Sequence, residues 1–134
     1  MLYVFLQALI TLNPDKIVGF KWIDGPFEDS CINKIIFSNN NTFTIDNNCE
    51  IKDSTFGKWD IENSILIIEE IGSFYTYNFN DKKFIELDKM KWEAKYENDI
   101  IKFIYAYRFK PSEMQFSKIP ISLDGKLNSF RKLR

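Results

Sequence analysis

The chain has 134 residues, of which 45% are hydrophobic and 28% are charged, as in one ordinary globular domain. Its 18 basic and 19 acidic residues give a net charge of −1, which argues against a nucleic-acid binder held by a basic surface. Histidine is absent and only two cysteines occur, so His-dependent catalysis, His-ligated metals and Cys₃ or Cys₄ zinc sites are excluded.

The N-terminal segment, residues 1–13, is apolar and ends where Asn13 meets Pro14. Its apolar run is shorter than the roughly 20 residues that a transmembrane helix needs, so we predict no membrane span. The length suits the apolar core of a secretory leader. A first strand or helix packed on the domain is the alternative, and both stay open. We place the domain at 14–134, with a C-terminal tail from about residue 110.

After Pro14, short apolar runs with period-two alternation are separated by turn residues. The predicted strands are Ile17–Ile23, Cys31–Phe37, Thr42–Ile45, Phe56–Ile61, Ser64–Ile71, Phe74–Phe79, Lys83–Leu87, Met90–Tyr96 and Ile100–Phe109, with a short edge strand within Met114–Ile121. Short loops between them indicate successive antiparallel hairpins. Because barrel closure protects strand edges, we predict an all-β, single-domain, antiparallel up-and-down meander barrel. A sandwich of two sheets is the alternative.

The C-terminal tail combines basic and apolar residues. The basic ones are Lys126, Arg131, Lys132 and Arg134, and the apolar ones are Leu127, Phe130 and Leu133. We expect a short amphipathic tail packed on the barrel. Contact with a partner or an anionic surface is the alternative.

Several motifs occur in a fixed order along the first half of the chain. They are Gly19 and Trp22, the Cys31–Phe37 run, an Asn turn before Thr42-Phe43-Thr44, Cys49, the Phe56-Gly57-Lys58-Trp59 strand and the Ser64–Ile68 strand. This order resembles the small lipocalin-like domain, a calycin-like β-barrel, of exported Bacteroidota proteins, over about residues 17–70. The departures are one extra residue between Gly19 and Trp22, Asn41 where glycine is usual, and no full leader with a lipidation cysteine.

The resemblance implies a lipocalin-like barrel and an arginine stacked on the first tryptophan. For Trp22, Arg108 and Arg131 are both candidates. It also implies a disulfide between Cys31 and Cys49. These two residues lie at nearly equal distances from Asn40 in the predicted hairpin, which would bring them nearly opposite. A disulfide indicates an extracytoplasmic protein, periplasmic or secreted. Two free buried thiols in a cytoplasmic protein are the alternative.

Aromatic residues supply the candidate ligand site. Rings at Tyr75, Tyr77, Phe79, Phe103, Tyr105, Tyr107 and Phe109 fall on adjoining predicted strands, the last four on one face. A tyrosine offers an apolar wall with a polar tip, which suits an amphipathic ligand. The predicted barrel lining is Trp22, Trp59, Tyr75, Tyr77, Tyr105, Tyr107 and Arg108. Alternatively, these rings fill the barrel, and both tryptophans are plain core.

Carboxylates cluster at Asp24/Glu28/Asp29, at Asp46/Glu50/Asp53 and at Glu69/Glu70. No spacing selects a catalytic pair or a calcium loop. We therefore expect solvated side chains, no catalysis, no metal and no cofactor.

The resulting hypothesis is a monomeric, non-enzymatic, exported binding protein that holds a small hydrophobic or amphipathic ligand in the barrel. The alternative is an inhibitor or immunity protein that binds a protein partner through an exposed barrel face. A ligand binder would turn Tyr75, Tyr77, Tyr105 and Tyr107 inward. An interaction protein would show an exposed aromatic patch.

Overall fold

The structure is a computed structural model that describes residues 12–25, 31–47, 52–77, 81–85, 89–120 and 129–133, without the side chains of 52, 75–77 and 81–85. A short 3₁₀ helix, Pro14–Lys16, precedes the strands. The strands are β1 (Lys21–Ile23), β2 (Asn33–Phe37), β3 (Thr42–Asn47), β4 (Lys52–Glu62), β5 (Ile65–Tyr77), β6 (Asp81–Ile85), β7 (Met90–Glu97), β8 (Ile100–Lys110), β9 (Gln115–Ile119) and β10 (Ser129–Lys132).

Eight of these strands close a barrel. The ring runs β1-β2-β3-β4-β5-β7-β8-β10, and β10 pairs with both β8 and β1. All pairings are antiparallel, and β6 and β9 add to β5 and β8 outside the ring. The predicted up-and-down barrel is confirmed, and closure gives every ring strand two partners.

Two-residue turns join the longest hairpins. Asn63 and Ser64 link β4 to β5, and Asn98 and Asp99 link β7 to β8. All four residues have positive φ, between 50° and 64°, as a type I′ turn requires. Asn41, where the lipocalin-like pattern has glycine, also has positive φ, 63°. Asparagine tolerates this conformation better than most residues, so the departure at Asn41 leaves the hairpin intact.

The 3₁₀ helix lies at the end of the barrel where these turns gather. Asn13 caps it by accepting from the Asp15 N–H, and the buried Ile17 follows it. We call the part of the barrel from this end to the Gly57–Glu70 pair the capped half. Its packing belongs to one apolar cluster, which contains Ile17, Trp22, Ile35, Phe37, Phe43, Ile45, Trp59, Leu66, Ile68, Trp92, Ala94, Ile101, Phe103, Ala106 and Phe130. The far half begins at the paired residues Gly57 and Glu70.

The structure corrects the predicted strands at three places. The expected turn at Gly72-Ser73 is wrong, because β5 runs on through it as one strand of 13 residues. The predicted first strand is limited to Lys21–Ile23, since Pro14 starts a 3₁₀ turn and Gly19 takes φ +83°. The C-terminal residues form β10, which completes the ring with Phe130 buried; they do not merely pack on it as a tail.

Candidate functional site

The interior of the far half carries polar side chains on β4 and β5, beside the apolar Ile45 of β3, which is paired with Thr55. Beyond Glu70, Thr55 and Ser73 are paired across β4 and β5, and the Thr55 hydroxyl lies 3.3 Å from that of Ser73. The Ser73 hydroxyl donates to the Ser54 carbonyl oxygen at 3.2 Å. This interior differs from the capped half, where the positions facing inward are apolar.

A hydrogen-bonded chain continues the polar interior across β3 and β2. The Asn47 side chain donates to Asn33 Oδ1 at 3.0 Å, and the Asn33 side chain donates to Asp24 Oδ2 at 2.8 Å. Asp53 is paired with Asn47 and is exposed. Desolvation and then the charge of Asp46 raise the pKa of Asp53, against a lowering by a backbone hydrogen bond.

Glu70 is the exceptional residue of this lining. It follows Leu66 and Ile68 on the inward side of β5 and is 9% exposed. Burial raises the pKa of its carboxyl to about 7, from 4.5. Its Oε2 atom is buried and has no hydrogen-bond partner among the described residues. A buried carboxyl without a partner costs stability, so its place in the interior needs an explanation.

A β-bulge fixes the backbone at Glu70. The pairing shifts between Phe56 and Gly57, which leaves Ile71 as the extra residue of β5, 43% exposed. A Cβ atom at Gly57 would collide with the Glu69 carbonyl oxygen and lie 2.8 Å from the Phe43 ring. Only glycine therefore fits opposite Glu70 without a shift of the backbone.

Both predicted tryptophans lie in the buried core. Trp22 is fully buried, and its indole N–H donates to the Ile17 carbonyl oxygen at 3.1 Å. Trp59 is 4% exposed, and its indole N–H donates to the Ser38 carbonyl oxygen at 3.0 Å. The ring of Trp22 meets Tyr96 edge to face, with centroids 6.1 Å apart.

The prediction that Phe103 lies on the same face of β8 as Tyr105 and Tyr107 is wrong. A register shift opposite Glu93 makes Ile104 an extra residue of β8, so the faces exchange there. Phe103 is buried, whereas Tyr105 is 40% exposed and faces outward beside Glu93. Tyr107 faces outward too, and its hydroxyl donates to Glu93 at 3.2 Å. The side chains of Tyr75 and Tyr77, in β5, lie outside the described part of the structure.

The two arginines considered for Trp22 lie in different regions. Arg108 is paired with Met90, lies on the same side of β8 as the buried Ala106, and is exposed. Arg131 is paired with Ile23, the neighbour of Trp22, so strand alternation puts it on the opposite face from the Trp22 ring. Its guanidinium donates to the Gly25 carbonyl oxygen at 3.1 Å.

The outward tyrosines belong to a surface that we call the lysine–aromatic face. It spans β7, β8 and β9 and consists of Lys89, Lys91, Tyr105, Tyr107, Phe109, Phe116 and Lys118. The Lys118 ammonium lies 3.7 Å from the Tyr105 ring centroid, and that of Lys91 lies 5.1 Å from the Tyr107 ring and 4.9 Å from the Phe116 ring. These are cation–π distances.

Cys31 is exposed just before β2 and is not a free cysteine. Cys49 lies outside the described residues, so the pairing of the two stays a prediction. Glu50, from the Asp46/Glu50/Asp53 carboxylate cluster, lies outside them as well. Within the described ranges, no group of three or more Cys, Asp and Glu side chains is arranged to hold a metal ion.

A cleft of about 450 Å³ lies outside the barrel at the capped end. Leu12 and Val18 form its apolar side, and Asn39, Asn63 and Asp15 contribute polar groups. The sequence pattern does not predict this cleft, because it forms between the 3₁₀ helix and two hairpin turns. In the described segments, no helix is long and apolar enough to cross a bilayer.

The chain matches no family model, no curated protein and no solved structure. The lipocalin-like resemblance therefore stays a prediction from the motifs, beside a barrel fold that agrees with it.

Glu70 is a site residue that the sequence pattern was not expected to supply. We expected it to be solvated with Glu69, and this is wrong, because Glu70 is buried in the barrel. The signal was available in the alternation of Leu66, Ile68 and Glu70, which assigns the glutamate to the inward side.

Proposed function

We propose that this protein is a non-enzymatic binding protein that holds a small amphipathic ligand in the far half of the barrel. The observation that carries the proposal is the buried Glu70 carboxyl, whose Oε2 atom lacks a partner among the described residues. Ligand sites in small barrels are apolar interiors with a few polar groups that orient the ligand. Glu70, next to Ile68 and opposite Gly57, is such a group.

The two halves suggest how the ligand would lie. The capped half is filled by Trp22, Phe37, Trp59 and their neighbours, so it leaves the far half as the binding region. There, the polar part of the ligand would meet Glu70, and its apolar part would extend toward the Phe43 side of the interior.

Native mass spectrometry on untagged protein recovered from its own host tests this proposal. We expect an added mass of a few hundred daltons. The Glu70→Gln variant should lose it, and the matched Glu69→Gln variant should keep it, because Glu69 is on the outward side of β5. Recovery of the bare chain alone would contradict the proposal.

A second candidate function is binding of a protein partner, and the lysine–aromatic face favours it. Tyr105 and Tyr107 point outward, as expected for an interaction protein rather than a ligand binder. We rank it second because these side chains already have partners: Lys118 covers the Tyr105 ring and Glu93 accepts from Tyr107. In the same experiment, a complex heavier by a whole polypeptide would favour this function over the first.

We further propose that the protein is extracytoplasmic and carries a disulfide between Cys31 and Cys49. The β2–β3 pairing supports this proposal, since Asn33 is opposite Asn47, and Cys31 lies two residues before Asn33 while Cys49 lies two residues after Asn47. A disulfide of this kind persists in oxidising compartments. Fractionation of the host, with detection in the cytoplasmic fraction alone as the contrary result, tests the location.

A further inference from the structure

The chemistry around Glu70 restricts the kind of ligand. A buried carboxyl is normally satisfied by a cation or by N–H and O–H donors. Among the described side chains, the nearest interior positions offer neither: Ile68 precedes Glu70 on β5, Gly57 is opposite it on β4, and Met90 lies two residues before Trp92 on β7. The Ser73 hydroxyl is engaged with the Ser54 carbonyl oxygen. The missing donor would therefore come from the ligand.

Three other charged groups face the interior side of the far half in the described part of the chain. They are Asp24 just after β1, Asp53 on β4 and Arg108 on β8. Asp24 already accepts from the backbone and side chain of Asn33, and Asp53 and Arg108 are exposed. An exposed group is already hydrated and gains little from a ligand charge. Glu70 is buried, and its oxygen has the most to gain from a charged donor.

We propose that the ligand is an amphiphilic amine whose ammonium group pairs with the Glu70 carboxylate while its apolar tail lies along the barrel interior. This inference rests on the proposed function and names the class of its ligand. Aromatic residues nearby support it, because rings attract organic cations. Phe43 lies beside Gly57, and Trp92 packs against Phe103 with ring centroids 5.8 Å apart.

Binding of an amine should depend on pH in one direction. A primary alkylamine stays charged up to about pH 10, as lysine does. Burial raises the pKa of Glu70 to about 7, so the carboxyl is mostly ionised at pH 8 and mostly neutral at pH 5.5. The ion pair, and with it the preference for an amine, is therefore present at pH 8 and weakens at pH 5.5.

Three probes with the same tail test the inference: dodecylamine, dodecanol and dodecanoate, each kept below its micellar concentration or solubility limit. Binding is followed by the change in tryptophan fluorescence of the full chain. At pH 8 we expect dodecylamine to bind about tenfold or more tightly than dodecanol, as for a charge-assisted hydrogen bond. The Glu70→Gln variant should bind dodecylamine no more tightly than dodecanol. The Glu69→Gln variant should keep the full preference.

Contrary outcomes separate this inference from the proposed function. If dodecanol and dodecylamine bind equally and Glu70→Gln changes neither, the amine inference is wrong and barrel binding stands. If dodecanoate binds best and Arg108→Gln weakens it, the ligand is an anion and the inference is again wrong. If no probe binds, the proposed function fails as well. Should Glu70→Gln not fold, a ratio of amine to alcohol affinity that stays constant from pH 8 to 5.5 would still overturn the inference.

Discussion

The capped half and the far half of one barrel treat buried polar atoms in opposite ways. In the capped half, the indole N–H groups of Trp22 and Trp59 donate to the carbonyl oxygens of Ile17 and Ser38. In the far half, the buried Glu70 carboxyl has an oxygen without a partner among the described residues. A satisfied apolar core stabilises a fold, whereas an unsatisfied carboxyl opposes it. The comparison indicates that the capped half stabilises the barrel, and it is the reason why we propose the far half as the binding region.

Removal of a capped-half tryptophan should have the largest effect. Trp59→Ala deletes a ring that is 4% exposed and packs on Phe37 at 5.7 Å, so we expect a loss of about 3–5 kcal/mol in the free energy of unfolding. Urea denaturation followed by circular dichroism measures it. As a control, Met114→Ala, at a residue 78% exposed, should change it by less than about 0.5 kcal/mol. If Trp59→Ala lowered the free energy of unfolding by less than about 1 kcal/mol, the capped half would not be the part that stabilises the barrel.

The predicted disulfide ranks next. Joining Cys31 to Cys49 closes a loop of roughly 18 residues, which on the loop-entropy model stabilises by about 3 kcal/mol. Reductant should therefore lower the free energy of unfolding, measured by urea denaturation, by about 3 kcal/mol, and the Cys31→Ser variant should no longer respond to reductant. Thiol titration without reductant should find no free thiol. Two titratable thiols would refute both the bridge and the extracytoplasmic location inferred from it.

Glu70 makes the far half sensitive to pH. Because burial raises the pKa of its carboxyl from 4.5 to about 7, the folded state holds this proton more tightly than the unfolded state. The contribution of Glu70 to stability should therefore fall as pH rises from about 4.5 to 7, by about 3 kcal/mol in total, and stay level outside that interval.

The difference between wild type and Glu70→Gln isolates this contribution, since all other groups titrate in both. Urea unfolding at pH 4.5, 6 and 8 should show the variant gaining relative stability as pH rises. Glu69→Gln, one residue away on the outward side, should track the wild type at every pH. A Glu70→Gln difference that is the same at all three values would mean that the carboxyl is hydrated, and the contrast between the halves would disappear.

The sequence predicts the barrel and most of the capped half, because period-two alternation holds on most of the strands there. It places Gly57 and Trp59 on one side of β4, and Trp92 and Ala94 on one side of β7, as the structure has them. The predicted barrel lining was wrong on β8 because Ile104 is an extra residue there. An extra isoleucine in an apolar strand cannot be recognised from the sequence pattern. The extra residue Ile71 cannot be recognised either, and β5 was predicted as two strands because Gly72 and Ser73 are turn-forming residues.

Ring closure by β10 could not be predicted for a different reason. The strand has four residues, and its partners β1 and β8 are distant in sequence. Such pairing depends on the geometry of the finished barrel rather than on local propensity. Burial of Glu70 was not predicted because charged residues are usually exposed, although its place in the alternation of β5 is inward. At Glu70, the local preference for exposure and the position set by the fold disagree.

The smallest expected effect concerns the outer surface. Lys118 lies 3.7 Å from the Tyr105 ring centroid, a cation–π pair of about 0.5–1 kcal/mol at an exposed site. A double-mutant cycle with Lys118→Gln and Tyr105→Leu should give a coupling of this size in urea denaturation. Lys102→Gln, on the same strand as Tyr105, should show no coupling to Tyr105→Leu.

A measured coupling means that the lysine–aromatic face is already stabilised by cation–π pairs within the chain. A protein partner would then have to break those pairs to bind there. A coupling of zero would leave the rings and lysines free for a partner, and would raise the interaction function above ligand binding.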